Sequence, residues 1–171
     1  TNENSKNVFA AFYFKELKEI FDNDVKEIVE ELGLNYIRVS SSTTDTNKTI
    51  NDEIIGKIKS SKIVIADFTG QRNSVYFEAG FALGLNIPVI WTCKKEEEKE
   101  LSFDTRQYPH TLWETKEDLK EAVAEYLEET DSSPLLEQTY DRLTEYDTMT
   151  GEEKAEFLEN IVSGIEKYIE K

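Results

Sequence analysis

Several residue types and motifs that support common functional sites are scarce in this sequence. It has one cysteine (Cys93), one histidine and three prolines among 171 residues. A single cysteine excludes an intrachain disulfide, and one cysteine with one histidine cannot form a zinc cluster. Its seven glycines form neither a G-x-G-x-x-G fingerprint nor a Walker A motif, which argues against a kinase or a dinucleotide dehydrogenase. We therefore expect a reducing, cytoplasmic environment and no metal or other cofactor.

Long apolar runs are also missing. No segment is apolar over the length that crossing a bilayer requires, and no signal peptide is visible. The first residue is Thr1 rather than methionine, as expected of a processed product or of one domain of a longer protein. We expect no contact with a membrane.

Basic residues are too few to balance the acidic ones. The chain has 20 lysines and arginines against 36 aspartates and glutamates, which gives a formal net charge of −16. This charge argues against binding nucleic acid or an anionic membrane surface through basic residues. A small neutral or weakly charged ligand fits the composition, because net charge does not set the potential inside one pocket.

The sequence alternates short apolar runs with amphipathic segments. Four runs, 8–14, 36–39, 62–68 and 87–91, resemble buried parallel strands, and a fifth strand is expected within 107–113. The segments between them repeat apolar residues at helical spacing, whereas the charged run 94–100 is expected to be a solvated loop. The pattern predicts an α/β fold, a flavodoxin-like open parallel sheet of about five strands with helices on both faces. The expected strand order is 2-1-3-4-5, with the ligand at the carboxyl ends of the strands.

The C-terminal residues extend beyond this sheet. An aspartate, two serines and a proline at 131–134 predict a linker that separates an α/β domain, residues 1–130, from C-terminal helices within 131–171. The predicted helices carry apolar stripes that a covered sheet does not need. These helices either pack on the sheet domain or form a subunit contact, and we expect a homo-oligomer.

Glu78 is the leading candidate for a reactive residue. It is the only charged residue of the predicted helix VYFEAGFALGL, which is apolar on nearly every side. A buried carboxylate is unfavourable unless it is paired or used, and burial raises its pKa. The structural interpretation is a carboxylate bonded to a neighbouring amide or tyrosine. The functional interpretation, which we favour, is a nucleophile at an anomeric carbon beside a pocket.

Two aspartates are candidates to assist Glu78. Asp67 ends the third predicted strand, and Asp45 lies in the polar loop after the second. Both are expected at the carboxyl edge of the sheet, where either could act as an acid. Asp67 could equally cap the loop that follows it, and Asp45 could be an ordinary turn residue.

Five further residues are candidate ligand contacts. Tyr13 and Phe14 close the first predicted strand and could stack on a base, or belong to the core. Arg72 and Asn73 precede the Glu78 helix, where an anion or a carbonyl could be held, and Asn73 could cap that helix. Asp104 could face the pocket or pair with Arg106.

The order of these segments resembles the nucleoside 2-deoxyribosyltransferase-like family. The resemblance covers about residues 8–113 and lies in VFAAFYF, the Asp45 loop, IADFTGQRNSVYFEAGFALGLNIPVI and SFDTR. It implies a flavodoxin-type domain in which Glu78 attacks the sugar C1′ and forms a covalent glycosyl-enzyme intermediate. Asp45 would then face the sugar or the base, and Asn73 and Asp67 would line the polar pocket wall. The transferases usually carry an acidic residue where this chain has 71–73 (QRN).

The same broad pattern resembles N-glycoside hydrolases and NAD-cleaving domains related to Toll/interleukin-receptor domains. The leading hypothesis is therefore an enzyme that acts on the N-glycosidic bond of a nucleoside, nucleotide or NAD-like substrate. The alternatives are a non-catalytic nucleotide-sensing module and a protein-interaction domain of a signalling or defence system.

Overall fold

The computed structural model describes residues 5–39, 50–145, 149–156 and 159. For 50, 51 and 131–145 only the backbone is described. The chain divides into two compact units, Thr1–Glu128 and Glu129–Lys171. The candidate site residues all belong to the first unit.

The first unit contains a five-stranded sheet in the order β2-β1-β3-β4-β5, and every neighbouring pair of strands is parallel. This arrangement confirms the predicted flavodoxin-like sheet and its strand order. The reversal of order lies between β1 and β3, which makes the carboxyl ends of these two strands the expected ligand position. The strands are β1 Asn7–Ala11, β2 Asn35–Ile37, β3 Ile63–Asp67, β4 Val89–Lys94 and β5 His110–Trp113.

Helices cover both faces of the sheet. Between β1 and β2 the chain forms α1, a π-helical turn and α2 in unbroken succession, and α3 and α4 follow β2 and β3. Between β4 and β5 there is only a 3₁₀-helical segment followed by turns. The bounds are α1 Phe14–Glu19, the π turn Ile20–Val25, α2 Lys26–Glu31, α3 Ile50–Lys59, α4 Asn73–Gly84, the 3₁₀ segment Lys95–Glu100 and α5 Lys116–Glu145.

Successive strand residues point to opposite faces, and this alternation creates two separate cores. On the front face, strand residues such as Val64 and Ala66 pack against α3 and α4. On the back face, strand residues such as Ile63 and Ile65 pack against the helix that follows β1 and the first part of α5. A polar residue at the end of a strand therefore points to the front or the back face according to whether its position in the strand is odd or even.

Three local predictions near this edge were wrong. β1 ends at Ala11 rather than Phe14, and the Tyr13 carbonyl accepts the first N–H groups of α1. Arg72 rather than Asn73 occupies the N-cap position of α4, without a side-chain cap hydrogen bond. The run predicted as a loop contains the 3₁₀ segment Lys95–Glu100.

The predicted linker at 131–134 was also wrong, because α5 continues through it from Lys116 to Glu145. Proline inside a helix removes one backbone hydrogen bond, and the strong helix formers Leu135, Leu136 and Glu137 follow Pro134. Beyond α5 a helix is described at 151–156. The remainder of the predicted last helix, like the side chains of 131–145, lies outside the described residues, so the predicted homo-oligomer contact there stays a prediction.

The described ranges contain neither a membrane-spanning helix nor a metal-binding cluster. None of the helices there combines the length and apolar character needed to cross a membrane. No group of three or more His, Cys, Asp or Glu side chains in those ranges is arranged to hold a metal ion.

Gly70 lies against the ring of Tyr13 where the loops after β1 and β3 meet. Gly70 has a positive φ of 77°, and a Cβ atom built there would lie 2.6 Å from Cδ1 of Tyr13. Gly33, which follows α2, has a similar φ of 74° but open space around its Cα. Both glycines therefore adopt a left-handed backbone conformation, but only Gly70 has an aromatic ring against its Cα.

We predict that Gly70→Ala destabilises the protein more than Gly33→Ala. The left-handed backbone alone costs about 1–2 kcal/mol with alanine. Displacement of the Tyr13 ring should add about 1–3 kcal/mol at Gly70. Urea unfolding of both variants checks this difference. In a Tyr13→Ala background the excess cost at Gly70 should disappear, and equal costs in the wild-type background would contradict the contact.

Candidate functional site

Glu78 lies on the inward side of α4. The buried residues of this helix are Val75, Glu78, Ala79 and Ala82, which form one stripe at helical spacing. Three of them belong to the front-face core, so Glu78 is placed where an apolar side chain would ordinarily pack. It is 8% exposed, and no described residue gives its carboxylate a hydrogen bond or an ion pair.

Burial raises the pKa of Glu78 to about 7. Desolvation is the whole cause, because the low-polarity surroundings disfavour the ionised form and no neighbouring charge or donor among the described residues compensates. Near neutral pH the carboxyl group is therefore present in both protonation states. This is the condition in which a carboxyl group can lose or gain a proton within a reaction cycle.

Asp67 is buried in a different environment. It is fully buried, and its Oδ2 accepts hydrogen bonds from the Thr92 hydroxyl and the Trp113 indole N–H, both at 2.7 Å. Its Oδ1 accepts the backbone N–H of Thr69 at 3.0 Å. Trp113 belongs to the back-face core, whereas Glu78 lies on the helix that packs on the front face. The structure therefore does not bring Asp67 and Glu78 to a shared surface, and the loop-capping interpretation of Asp67 describes its contacts.

Tyr13 and Arg72 do come together at the predicted edge. The Arg72 guanidinium carbon lies 4.6 Å from the centroid of the Tyr13 ring, and the same ring contacts Gly70. The loop that holds Arg72 has two successive residues with positive φ, Gly70 and Gln71. Such backbone conformations cluster at ligand sites when the surrounding structure holds them in place. An exposed cation and an aromatic ring thus lie where the strand order reverses.

Phe14 points to another part of the edge. Its ring lies 5.1 Å from the guanidinium carbon of Arg38 and 5.4 Å from the ammonium of Lys18. Arg38 is in turn held by a two-bond pair with Asp22, which belongs to the π-helical turn. Phe14 is 39% exposed, so the interpretation as a core residue was wrong.

The other predicted residues are distributed as follows. Asn73 is exposed in the first turn of α4. Asp104 is exposed in the turns before β5 and does not pair with Arg106, whose guanidinium donates to the carbonyls of Leu101 and Lys99. Asp45 lies outside the described residues.

Glu97 is a site-edge residue that the sequence analysis missed. Its Oε2 accepts the backbone N–H of Gly70 at 2.6 Å, next to the Tyr13 ring. Glu97 is half-buried, whereas Glu96 and Glu98 on either side are exposed. In a run of similar charged residues no sequence signal separates the inward glutamate from its neighbours.

A hydrogen-bonded chain joins α4 to the segment before β5. The Tyr76 hydroxyl donates to the Gln71 side-chain oxygen at 2.5 Å and accepts the backbone N–H of Ser102 at 3.2 Å. The loop after β3, the start of α4 and the turns before β5 are therefore fixed to one another.

A cavity of about 450 Å³ lies beside β5. Within it, the His110 Nδ1 lies 2.9 Å from the Tyr108 carbonyl, and its ring packs edge-on against Phe68 and Trp91. Burial lowers the pKa of His110, and its contacts with the two rings and the Tyr108 carbonyl are those of a structural residue. The lining residues are Glu98, Lys99, Leu101, Arg106, Tyr108, His110 and Leu112, none of which was among the candidates.

We predict that Glu78→Gln stabilises the protein and that the gain grows with pH. The unfolded chain loses this proton near pH 4.5 and the folded chain near pH 7, so stability falls as pH rises through that window. Glutamine resembles the neutral acid and escapes this loss, which amounts to about 3 kcal/mol above pH 7. Urea unfolding at pH 5.5 and 8.5 should show about half of the gain at the lower pH. Glu121→Gln, on the exposed surface of α5, is the control, and an equal gain there would contradict the assignment.

We predict the opposite result for Asp67→Asn. An amide in place of the carboxylate cannot accept from Thr69, Thr92 and Trp113 together, and a buried donor left without an acceptor costs about 1–3 kcal/mol. Urea unfolding should show this loss of stability, and tryptophan fluorescence should show a changed Trp113 signal. Unchanged stability would show that the three bonds are dispensable.

Comparison with known proteins adds one observation. No family model and no curated protein matches this sequence. Among solved structures the chain is similar to the 2-desoxiribosyltransferase from Leishmania mexicana, at 19% sequence identity and a TM-score of 0.41. That match covers 57% of this chain and 74% of the other. The fold itself is established by the strand order, as a five-stranded, parallel, flavodoxin-like α/β sheet.

Proposed function

We propose that this protein is an enzyme that cleaves or transfers the N-glycosidic bond of a nucleoside, nucleotide or NAD-like substrate, with Glu78 as its reactive group. The observation that carries the proposal is the buried Glu78 carboxyl without a partner among the described residues, whose pKa burial raises to about 7. Leaving such a group unpaired is unfavourable for folding, and groups of this kind concentrate at active sites.

The surroundings of α4 support a planar ligand. Tyr13 offers an aromatic ring and Arg72 a guanidinium at the loop that leads into the helix. A nucleobase can stack on an aromatic ring or on a guanidinium plane, and a sugar oxygen or phosphate can accept from the same guanidinium. The Arg72 guanidinium lies over the Tyr13 ring and is paired with no described carboxylate, so its charge remains available to a ligand.

The proposed reaction begins with the ionised form of Glu78. One carboxylate oxygen attacks C1′ of the sugar, the bond from C1′ to the base nitrogen breaks, and its electron pair leaves with the base, which takes up a proton. Water, or a second base, then attacks C1′, gives up a proton to the group that protonated the departing base, and releases the Glu78 carboxylate. The first acceptor gives hydrolysis and the second gives transfer.

The proton for the departing base needs a separate donor. Asp67 is fully buried and accepts three hydrogen bonds from the sheet and the following loop, so we do not assign it this step. Asp45 remains the predicted donor. Glu97 accepts the backbone N–H of Gly70 in the neighbouring loop, and we assign it the positioning of that loop.

We predict that base release rises with pH and levels off above about pH 7, because only the ionised Glu78 attacks. Glu78→Gln should lower kcat/KM by roughly 10⁴-fold or more while the ligand still binds. The measurement is chromatographic detection of free base from deoxyribonucleosides, ribonucleosides, their 5′-phosphates and NAD, with and without an acceptor base. Ligand binding is followed separately by thermal shift.

Glu121→Gln, on the exposed surface of α5, is the control and should keep wild-type rates. A rate that falls as pH rises through 7 would assign Glu78 the role of acid and contradict nucleophilic attack. Wild-type rates in Glu78→Gln would overturn the proposal. Binding without turnover on the whole panel would establish the alternative, a non-catalytic nucleotide-sensing module. Among the alternatives we favour this module, because the hydrogen bonds of Asp67 leave the pocket without that aspartate as a second acid.

A further inference from the structure

The cavity beside β5 is lined by residues that the proposed reaction does not use. Its volume of about 450 Å³ lies within the range of small-molecule sites, roughly 300–1,000 Å³. The apolar and aromatic side chains of the lining are Leu101, Tyr108 and Leu112, and the polar and charged ones are Glu98, Lys99, Arg106 and His110. The cavity therefore offers both apolar surface and charged groups to one small molecule.

The charged residues of the lining are not paired with one another. Lys99 and Arg106 are positive and Glu98 is negative, and none of the three has an ion-pair partner among the described residues. His110 adds no charge, because burial lowers its pKa and its Nδ1 donates to the Tyr108 carbonyl. Two positive charges and one negative charge leave the lining with one net positive charge, in a chain whose formal net charge is −16.

Arg106 is held in place with one hydrogen-bonding edge free. Its Nε donates to the Leu101 carbonyl at 2.8 Å, and its Nη2 donates to the Lys99 carbonyl at 2.6 Å. Nε–H and one Nη2–H lie on the same edge of the planar guanidinium, so both bonds use that edge. The other edge, formed by Nη1 and Nη2, has two parallel N–H groups without an acceptor among the described residues. This fork matches the two oxygens of a carboxylate, and the backbone bonds fix it before a ligand arrives.

The turns that form part of the cavity wall are fixed by their own contacts. The Ser102 N–H donates to the Tyr76 hydroxyl of α4 at 3.2 Å, and the Ser102 carbonyl accepts the Thr105 N–H at 3.1 Å. The Tyr108 ring stacks on that of Trp91 at a centroid distance of 4.4 Å and an interplanar angle of 2°. A preformed wall of this kind reduces the loss of conformational freedom on binding.

We propose that this cavity is a binding site for a small carboxylic acid with a compact apolar body. The carboxylate pairs with the free fork of Arg106. The apolar body packs against Leu101, Tyr108 and Leu112. One net positive charge matches a carboxylate, whereas a phosphate monoester carries about 1.5–2 negative charges at neutral pH. In a strongly acidic chain, with an unpaired glutamate also in the lining, the additional charge of a phosphate is unfavourable.

The test measures binding to the full chain and requires no turnover, so its outcome is independent of the proposed reaction. The probes are benzoate and cyclohexanecarboxylate, with benzamide as the neutral counterpart and phenyl phosphate as the more highly charged one. In ¹H–¹⁵N correlation spectra the carboxylates should shift amide signals within 98–112, with a dissociation constant on the order of 1 mM. Benzamide should bind about tenfold more weakly than benzoate, and phenyl phosphate should also bind more weakly than benzoate.

The probes also give the results that would overturn the proposal. Absence of shifts within 98–112 with both carboxylates would show that the cavity is not such a site. Benzamide that binds as tightly as benzoate would show that the fork is not used, and tighter binding of phenyl phosphate would replace the carboxylate by a phosphate. Either result would overturn the assignment to a carboxylic acid.

Two charge changes in the lining should act in opposite directions. Glu98→Gln removes a repelling charge and should tighten benzoate binding about twofold to fivefold, whereas Lys99→Gln should weaken it by a similar factor. Both side chains are exposed and have no hydrogen bond or ion pair with a described residue, so the fold tolerates both changes. Glu100→Gln is the matched control, because Glu100 is an exposed glutamate of the same segment outside the lining. Equal effects of Glu98→Gln and Glu100→Gln would contradict the site.

Arg106→Lys tests the fork, because it keeps the charge and removes the paired N–H groups. It should weaken benzoate binding about tenfold. If the loss of the backbone bonds unfolds this variant, as its own reference spectrum would show, the pair Glu98→Gln and Lys99→Gln decides the question. Arg72→Gln and Glu78→Gln should leave benzoate binding intact. Loss of binding in either of them would place the carboxylate at the surface proposed for the glycosidic substrate and would overturn the proposal.

Discussion

The hydrogen bonds accepted by Asp67 organise the carboxyl edge of the sheet. One carboxylate at the end of β3 holds the Thr92 side chain of β4, the Trp113 side chain of β5 and the backbone of Thr69 in the following loop. The bond to Thr69 fixes the position of that loop. The loop contains Gly70, which contacts the Tyr13 ring, and leads into α4. The Thr69 hydroxyl in turn accepts the backbone N–H of Lys94 at the end of β4. The candidate ligand surface is thus built on a buried polar network that involves three strands.

Asp67 and Glu78, the two buried acids among the described residues of this unit, have contrasting environments. Asp67 is stabilised by donors aimed at both of its oxygens, whereas Glu78 has none from the described residues. Burial has the same unfavourable effect on both charges, and only one of them is compensated. Uncompensated buried carboxyl groups concentrate at functional sites, which is the basis of the role proposed for Glu78.

Much of the fold could be predicted because each strand is an apolar run of its own and each crossover has a helical period. The burial of Glu78 could be predicted for the same reason, since the helix around it has no polar side. The face of the sheet to which the Asp67 side chain points could not be predicted. Both faces of β3 are covered, so its residues are apolar throughout and do not alternate with polar ones. The end of β1 was misplaced because Phe12, Tyr13 and Phe14 continue its aromatic character and no capping residue marks the start of α1. The inward turn of Glu97 depends on 3₁₀ geometry within a run of nearly identical charges.

The order of strands has a consequence for how the unit folds. β1 pairs with β3 in a register that joins Val8 to Ile63, so the central pair of the sheet closes only after the intervening residues are made. Parallel pairs of this kind have a high contact order and form slowly. The hydrogen bonds to Asp67 are completed later still, because their last donor, Trp113, lies 46 residues further along the chain. During synthesis this edge of the sheet is therefore the last to become ordered, and the aspartate remains hydrated until β5 docks.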